Sequence, residues 1–203
     1  MYMRILSAIS FVVLVLNSSC LCAQNSENGR LKYSINSNWE FSLDPAEIDD
    51  ASSMPDSLWS NINLPHTWNA LDVLDDTPGY YRGTGWYKKE IPINEVQANG
   101  RVYIYFEGAN QVSWVYVNGQ YAGEHIGGYN AFSFDITPFV NKDQSSNVIY
   151  VKVNNAYSRE IPPHNADFSF YGGIYRDVYL IITQPVHFDV LDMASSGVYI
   201  STP

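Results

Sequence analysis

The chain has 203 residues, of which 46% are hydrophobic and 16% are charged, a balance typical of a folded protein with one sizeable core and unlike that of a disordered chain. Its formal net charge is −10, and no cluster of Lys and Arg occurs, which argues against a nucleic-acid partner because phosphates need a basic face. Aromatic side chains make up 15% of the residues, a content that favours strands, where flat rings cover a pleated surface.

Residues 1–23 predict a leader peptide for export to the periplasm or the extracellular space. Arg4 supplies the positive start, and residues 9–16 supply an apolar run (ISFVVLVL). This run is far shorter than the roughly 20 residues that span a bilayer, so no transmembrane helix is expected. Small and polar residues follow, and cleavage is predicted after Ala23.

Lipidation is the alternative to simple cleavage, and it would anchor the protein to an outer membrane through Cys20. Asn17 stands where a lipidation signal prefers an aliphatic residue, which favours cleavage. Both cysteines of the chain, Cys20 and Cys22, lie within the leader. The mature protein is therefore expected to fold without disulfide bonds.

The residues after the leader predict an all-β domain. Residues 24–30 are polar and are expected to form a flexible lead-in. Short segments with period-two alternation or β-branched runs then recur between turn residues, a spacing typical of antiparallel sheets. These segments are residues 39–43, 102–106, 131–136, 148–153 and 178–182. Trp86 and Tyr87 begin a further strand, and their rings are expected to cover the core.

The clearest hairpin is centred on Asn118 and Gly119. Residues 114–117 lead into this pair, which suits the positive φ angles of a type I′ turn, and residues 120–123 lead out of it. No segment shows a capped helical stripe. Residues 45–58 are acidic and Ser-rich and are compatible with a short helix or an irregular loop.

Two long connections and a tail interrupt the strand pattern. The connections are residues 61–85 and 154–173, and loops of this length in a compact domain are usually functional. One domain is predicted over residues 31–185. Residues 186–203 start a fresh strand-like pattern that is expected not to pack back, and we interpret it as the start of a following immunoglobulin-like β domain.

Five sequence blocks, in order, carry a resemblance to a known family. They are LPHTWN at 64–69, GWYKK at 85–89, VYVNG at 115–119, EHIGGY at 124–129 running into FDITP at 134–138, and DFSFYGGIYRDV at 167–178. Together they resemble the N-terminal sugar-binding domain of family-two glycoside hydrolases, the group of β-galactosidases, β-glucuronidases and β-mannosidases. The resemblance implies a jelly-roll-like antiparallel β-sandwich of the galactose-binding-domain-like type.

The resemblance also implies two substrate-binding residues. In the family, the aspartate that opens the last block reaches into the active site of a following barrel and holds sugar hydroxyls, and Asp167 occupies that position here. A carboxylate can accept two hydroxyl protons in strong, charge-assisted hydrogen bonds. The alternative is a carboxylate that accepts from the N–H groups near Ser169 and Phe170. Asn69 is the second candidate, with a turn-forming role as its alternative.

Catalytic residues are not expected in this chain. Retaining glycosidases use two carboxylates, which in this family are glutamates on a barrel of about 250 residues, and no β/α alternation occurs here. The family's acid/base glutamate follows an asparagine, and the one such pair, Asn94-Glu95, lies in a turn-like stretch. No cofactor-binding motif is present. The four histidines are scattered, so no metal site is expected.

Besides a purely structural interaction domain without sugar affinity, two functions remain open from the sequence. The first is the N-terminal sugar-binding domain of an exported β-galactosidase-like hydrolase of carbohydrate metabolism, inactive alone because the catalytic barrel is absent. The second is a free-standing carbohydrate-binding module without hydrolase activity. A β-glycoside is the expected partner in the first case, within the full-length enzyme. The sequence identifies neither the sugar nor the oligomeric state.

Overall fold

A computed structural model describes residues 25–27, 29–44, 46, 48–72, 74, 76, 78–93, 100–141 and 146–202 of the chain. The leader predicted for residues 1–23 and the pair Asn94-Glu95 lie outside these described residues. The described residues form eleven strands: β1 Asn25–Glu27, β2 Arg30–Ser34, β3 Trp39–Asp44, β4 Ser60–Ile62, β5 Thr84–Ile91, β6 Arg101–Phe106, β7 Val112–Val117, β8 Gln120–Ile126, β9 Phe132–Asp135, β10 Asn147–Asn154 and β11 Val178–Thr183.

The strands form two antiparallel sheets. One has five strands in the order β1-β2-β11-β6-β9, and the other has six in the order β4-β3-β5-β10-β7-β8. Most neighbours in a sheet are distant in sequence, so the chain crosses repeatedly between the sheets, as in Greek-key and jelly-roll sandwiches. The prediction of an all-β antiparallel sandwich is confirmed.

Strand alternation determines which side chains enter the space between the sheets. Along β10 the burial alternates strictly, with Ile149, Val151 and Val153 all fully buried. Val102, Ile104 and Phe106 of β6 do the same from the opposite sheet, as the sequence pattern predicts. The core is closed by ring contacts such as the stacked pair Phe106–Phe132, whose centroids are 4.7 Å apart.

The β7–β8 hairpin turns at Asn118 and Gly119, whose φ angles are +50° and +77°. Two successive positive φ values define the type I′ geometry that the Asn-Gly pair predicts. The Asn118 side chain strengthens the turn, since its Nδ2 donates to the Phe139 carbonyl (2.9 Å) and its Oδ1 accepts from the Val148 N–H (3.0 Å).

The sequence predicts that the rings of Trp86 and Tyr87 both cover the core, but only Tyr87 does so. Because they are consecutive on β5, their side chains point to opposite faces of the sheet. Tyr87 enters the inter-sheet core, whereas Trp86 lies on the outer face and packs against Ala51 and Met54.

The connection at residues 45–58 contains two short 3₁₀ turns, Ala51–Ser53 and Asp56–Leu58, in its described part. The first turn is capped by Asp50, whose Oδ1 accepts from the Ser52 N–H (2.9 Å). Because Ala51 and Met54 pack against Trp86, the segment covers the outer face of the six-stranded sheet and buries Trp86 there.

Part of the segment predicted as a flexible lead-in, residues 24–30, forms a strand. Asn25–Glu27 forms β1, which pairs antiparallel with Arg30–Lys32 of β2. Gly29 permits the tight reversal with a φ of +72°. Strand pairing uses backbone groups that every residue except proline carries in full, so a polar sequence does not prevent it.

The tail also differs from expectation. Residues 184–202 form no strand, yet Val190 is only 1% exposed and clusters with Tyr103 and Ile181 on the outer face of the five-stranded sheet. The Ser133 hydroxyl donates to the Val190 carbonyl at 2.6 Å. The tail thus packs back onto the sandwich. Its identity as the start of an immunoglobulin-like domain stays a prediction.

No helix in the described part of the chain is long and apolar enough to cross a membrane.

Candidate functional site

Two long connections, residues 63–83 and 155–177, meet at one edge of the sandwich, which we call the loop edge. The first connection ends where the second begins, because β5 and β10 are antiparallel and Thr84, the first residue of β5, lies opposite Asn154, the last residue of β10. Backbone hydrogen bonds join the loops: the Asn155 N–H donates to the Gly83 carbonyl (3.0 Å), and the His66 N–H donates to the Ile174 carbonyl (2.8 Å).

Asn69 links the two loops through its side-chain amide and is 9% exposed. Its Nδ2 donates to Asp72 Oδ2 (2.6 Å) and to the Tyr81 carbonyl (2.8 Å). Its Oδ1 accepts from the Gly172 N–H (2.6 Å) and from Asn155 Nδ2 (3.4 Å). An amide offers two donors and two lone pairs, so all four positions are occupied by protein groups. These contacts support the loop-stabilising alternative, and substrate contact by Asn69 stays a prediction.

Asn155 is the second amide of the loop edge and is fully buried. Its Oδ1 accepts from the Gly83 N–H (2.9 Å), and its Nδ2 donates to the Phe170 carbonyl (3.0 Å). With Asn69 it forms a buried amide pair that satisfies backbone groups from both loops. Buried polar groups that are paired in this way fix a single conformation.

The block around His66 is anchored to the core through Tyr87. The Tyr87 hydroxyl lies 2.9 Å from His66 Nδ1 and accepts from the Ile174 N–H at 3.3 Å. Burial lowers the pKa of His66, which keeps the imidazole neutral at pH 7, and burial raises the pKa of Tyr87. Both side chains are structural anchors for the loops.

Two consecutive glycines allow the last block to pass close to these anchors. A Cβ at Gly172 would lie 2.0 Å from Cζ2 of Trp68, and one at Gly173 would lie 2.5 Å from the Tyr87 hydroxyl. Gly173 also has a φ of +118°, a backbone conformation that other residues rarely adopt. Trp68 itself stacks on Phe41 with ring centroids 5.9 Å apart.

Arg82 joins the loop edge to a group of aromatic rings. Its Nε donates to the Asn155 carbonyl at 2.9 Å. Its guanidinium carbon lies 5.8 Å, 5.9 Å and 5.5 Å from the ring centroids of Tyr80, Tyr157 and Phe170, within the range of cation–π attraction. The Phe170 N–H donates to the Tyr80 hydroxyl at 3.0 Å. Phe170 therefore contacts three groups, namely Tyr80, Arg82 and Asn155.

Asp167 lies three residues before this fixed point and is exposed. Among the residues that the structure describes, no group donates a hydrogen bond to its carboxylate or forms an ion pair with it. The Phe170 N–H, one of the groups that the alternative role requires, donates to Tyr80 instead. Phe168, next to Asp167, is 55% exposed and contacts Phe170 edge to face. The loop edge thus presents a carboxylate whose acceptor positions are unused, beside exposed aromatic surface.

Sequence reasoning missed three residues that organise this edge: Asn155, Tyr80 and Arg82. Asn155 follows the last alternating residue of β10 directly, so its position at the start of a long loop was a usable signal. Tyr80 and Arg82 show no pattern in the sequence, since their partners lie 90 and 73 residues away. No three His, Cys, Asp or Glu side chains converge on a metal-binding arrangement within the described ranges.

The fold and this edge define a class, a jelly-roll-like β-sandwich with two long ordered loops meeting at one edge. The family profile described as "Glycosyl hydrolases family 2, sugar binding domain" matches residues 32–185. This match covers most of the chain, which therefore belongs to the sugar-binding domain of family-two glycoside hydrolases. The resemblance seen in the sequence blocks is confirmed.

Individual relatives agree with this assignment. A β-glucuronidase of Bacteroides fragilis is 38% identical over 191 residues, which are 94% of this chain and 26% of the relative. A β-galactosidase of Thermoanaerobacter pseudethanolicus is 36% identical over 157 residues, 75% of this chain and 21% of the relative. The crystal structure of Bacteroides uniformis β-glucuronidase superposes with a TM-score of 0.78 at 40% identity, covering 86% of this chain and 20% of that protein. The chain thus spans about a fifth to a quarter of the length of these relatives.

Proposed function

We propose that this domain serves an exported retaining β-glycosidase, in which Asp167 binds substrate hydroxyls within a pocket completed by sequence outside this chain. The observation that carries the proposal is the exposed carboxylate of Asp167, which has no protein partner among the described residues. A carboxylate without partners on an ordered loop is suited to accept hydrogen bonds from a ligand.

The support of the loop adds to this proposal. A binding group is effective when its surroundings hold it in place before the ligand arrives. Phe170, three residues after Asp167, is held by Tyr80, Asn155 and the cation of Arg82. The amide pair of Asn69 and Asn155 fixes the neighbouring turns of both loops. Asp167 therefore extends from a base with little freedom.

The proposed substrate is a β-glycoside, since the relatives named above are a β-glucuronidase and a β-galactosidase. Asp167 can accept from hydroxyls that both sugars carry, but it offers no cation for a glucuronate carboxylate. We therefore assign to Asp167 the recognition of shared hydroxyls. Discrimination between the two sugars would belong to residues outside this chain.

The test uses the longer protein that carries this domain, with Asp167→Asn. The amide replaces one acceptor oxygen by a donor and removes the charge, so kcat/KM should fall by about 10- to 100-fold with nitrophenyl β-glucuronide and β-galactoside alike. Asp76→Asn, an exposed carboxylate of the other long loop, is the matched control and should retain kcat/KM. An Asp167→Asn enzyme within about twofold of the parent would overturn the proposal.

Export is the remaining part of the proposal and rests on residues 1–23, with Arg4 before a short apolar run. The mass of the mature protein distinguishes the two routes. Cleavage after Ala23 leaves Gln24 as the first residue, whereas lipidation leaves a modified Cys20. A full-length mass with Met1 retained would contradict both.

A further inference from the structure

The outer face of the six-stranded sheet carries a second set of aromatic side chains, which are separate from the loop edge and from Asp167. Strand pairing places them in cross-strand rows. Tyr150 of β10 lies opposite Lys88 of β5 and Tyr116 of β7, and Tyr116 lies opposite Tyr121 of β8. Side chains at such positions project to the same side of the sheet. One face of the domain thus presents a platform of neighbouring rings.

A cavity of about 420 Å³ lies on this platform, within the range of roughly 300–1,000 Å³ that is typical of small-molecule sites. Its floor presents the half-buried rings of Tyr116 and Tyr150, with Trp86 also in the lining but only 1% exposed. One wall is formed by Asp49 and Asp50 and by the 3₁₀ turn that follows them. We call this space the sheet-face cavity. It is bounded on another side by the β7–β8 turn.

Three polar side chains of the sheet-face cavity are free to meet a ligand. The Asp49 carboxylate is exposed, and in the described part of the chain it has no hydrogen bond or ion pair. The hydroxyls of Tyr116 and Tyr150 also lack a protein partner there. Burial raises the pKa of both phenols, and the carboxylates of Asp49 and Asp50 add to the shifts of Tyr116 and Tyr150 respectively. The phenols therefore remain protonated donors beside a carboxylate acceptor.

This combination matches the chemistry of a pyranose. One face of the ring carries C–H bonds with partial positive charge, which favour contact with the negative face of an aromatic ring. Sugar hydroxyls both donate and accept, so they can donate to Asp49 and accept from the two phenols. We infer that the sheet-face cavity binds a short neutral oligosaccharide, independently of Asp167 and of the proposed active-site role.

The negative charge of the sheet-face cavity favours neutral over anionic sugars. The described lining of the cavity includes the two carboxylates Asp49 and Asp50 and no Lys or Arg. The nearby cations are engaged elsewhere, since Lys88 pairs with Glu40 at 2.7 Å and Lys152 donates to the Ile48 carbonyl at 3.1 Å. A glucuronate carboxylate would meet repulsion that an uncharged galactose or glucose unit avoids.

The test is calorimetric titration of the 203-residue chain with lactose, cellobiose and glucuronic acid. A neutral disaccharide should bind, and glucuronic acid should bind at least about tenfold more weakly because of the two carboxylates. Asp49→Asn should weaken disaccharide binding by about tenfold, and Tyr150→Phe, which keeps the ring and removes the hydroxyl, by about threefold or more. Circular dichroism checks that both variants fold.

Matched controls lie on other surfaces. Asp76→Asn removes an exposed carboxylate from a loop, and Tyr105→Phe removes a hydroxyl from the outer face of the five-stranded sheet. Both should bind the disaccharides as the parent does. Absence of binding up to about 10 mM sugar, or binding that Asp49→Asn and Tyr150→Phe leave unchanged, would overturn the inference. Binding that Asp167→Asn abolishes instead would move the site to the loop edge, and kcat/KM of the longer enzyme tests that role separately.

Discussion

The inter-sheet core and the loop edge both contain buried side chains, but different interactions stabilise the two regions. In the core, alternating apolar residues of both sheets, such as Val151 and Ile104, are fully buried in one hydrophobic cluster. At the loop edge, amide side chains satisfy backbone groups of distant segments. Asn155 reaches Gly83 across 72 positions, and Asn69 reaches Gly172 across 103. The sheets need only the right pattern of hydrophobicity, whereas the edge needs particular residues at particular positions.

This difference bears on function. The amides of Asn69 and Asn155 donate to and accept from protein groups, and in this way they order the loops. Asp167 is the contrasting case, since its carboxylate projects from the same edge with no partner among the described residues. These contacts separate the residues that fix the loops from the one carboxylate for which we propose substrate contact.

The largest expected effect at the loop edge comes from Asn155→Ala. The substitution leaves the buried Gly83 N–H and Phe170 carbonyl without their side-chain partner, at a cost of about 3 kcal/mol in the free energy of unfolding. Urea denaturation measures the total cost, and amide hydrogen exchange at Gly83 and Gly172 should rise first if the edge opens locally.

Two reference variants sharpen this result. Phe106→Ala removes a fully buried ring from the core and should cost about 4 kcal/mol, with exchange rising throughout the sheets. Asn130→Ala changes an exposed asparagine and should stay within about 0.5 kcal/mol of the parent. If Asn155→Ala resembled Asn130→Ala, the amide pair would not be what orders the edge.

A smaller effect is expected from Gly172→Ala. The new Cβ would lie 2.0 Å from Cζ2 of Trp68 and 2.7 Å from Cγ of Asn155, so the ring or the loop must shift, at about 2 kcal/mol. Gly79→Ala is the control, because no atom lies within 4 Å of its Cβ position and only its φ of +96° resists the change, costing about 1 kcal/mol. Thermal denaturation ranks the two, and equal costs would show that contact with Trp68 is unimportant.

The sequence predicted much of the sandwich because its signals are local. Alternation identified β3, β6, β9 and β10 to within two residues at each end, and Asn118-Gly119 defined its hairpin. Strand β1 was missed because polar residues pair through their backbone without a hydrophobic signal. The outward position of Trp86 was missed because a bulky aromatic residue was assigned to the core, whereas strand geometry alternates strictly.

The site was predicted less fully, for a physical reason. The resemblance supplied Asp167 and Asn69. It could not show that every hydrogen-bonding position of the Asn69 amide is occupied by a protein group, from Asp72, Tyr81, Gly172 and Asn155. Such saturation depends on which residues the fold brings together over long separations. The same holds for the sheet-face cavity, whose rings come from different strands and whose carboxylates come from a covering turn.

We propose that this chain supports catalysis without performing it, and turnover by the purified 203-residue protein tests that proposal most directly. With nitrophenyl β-glucuronide and β-galactoside as substrates, we expect release of nitrophenol no faster than in buffer, because the two glutamates that retaining hydrolysis requires are not expected here. Turnover that disappears when one glutamate of this chain is changed to glutamine would contradict the account.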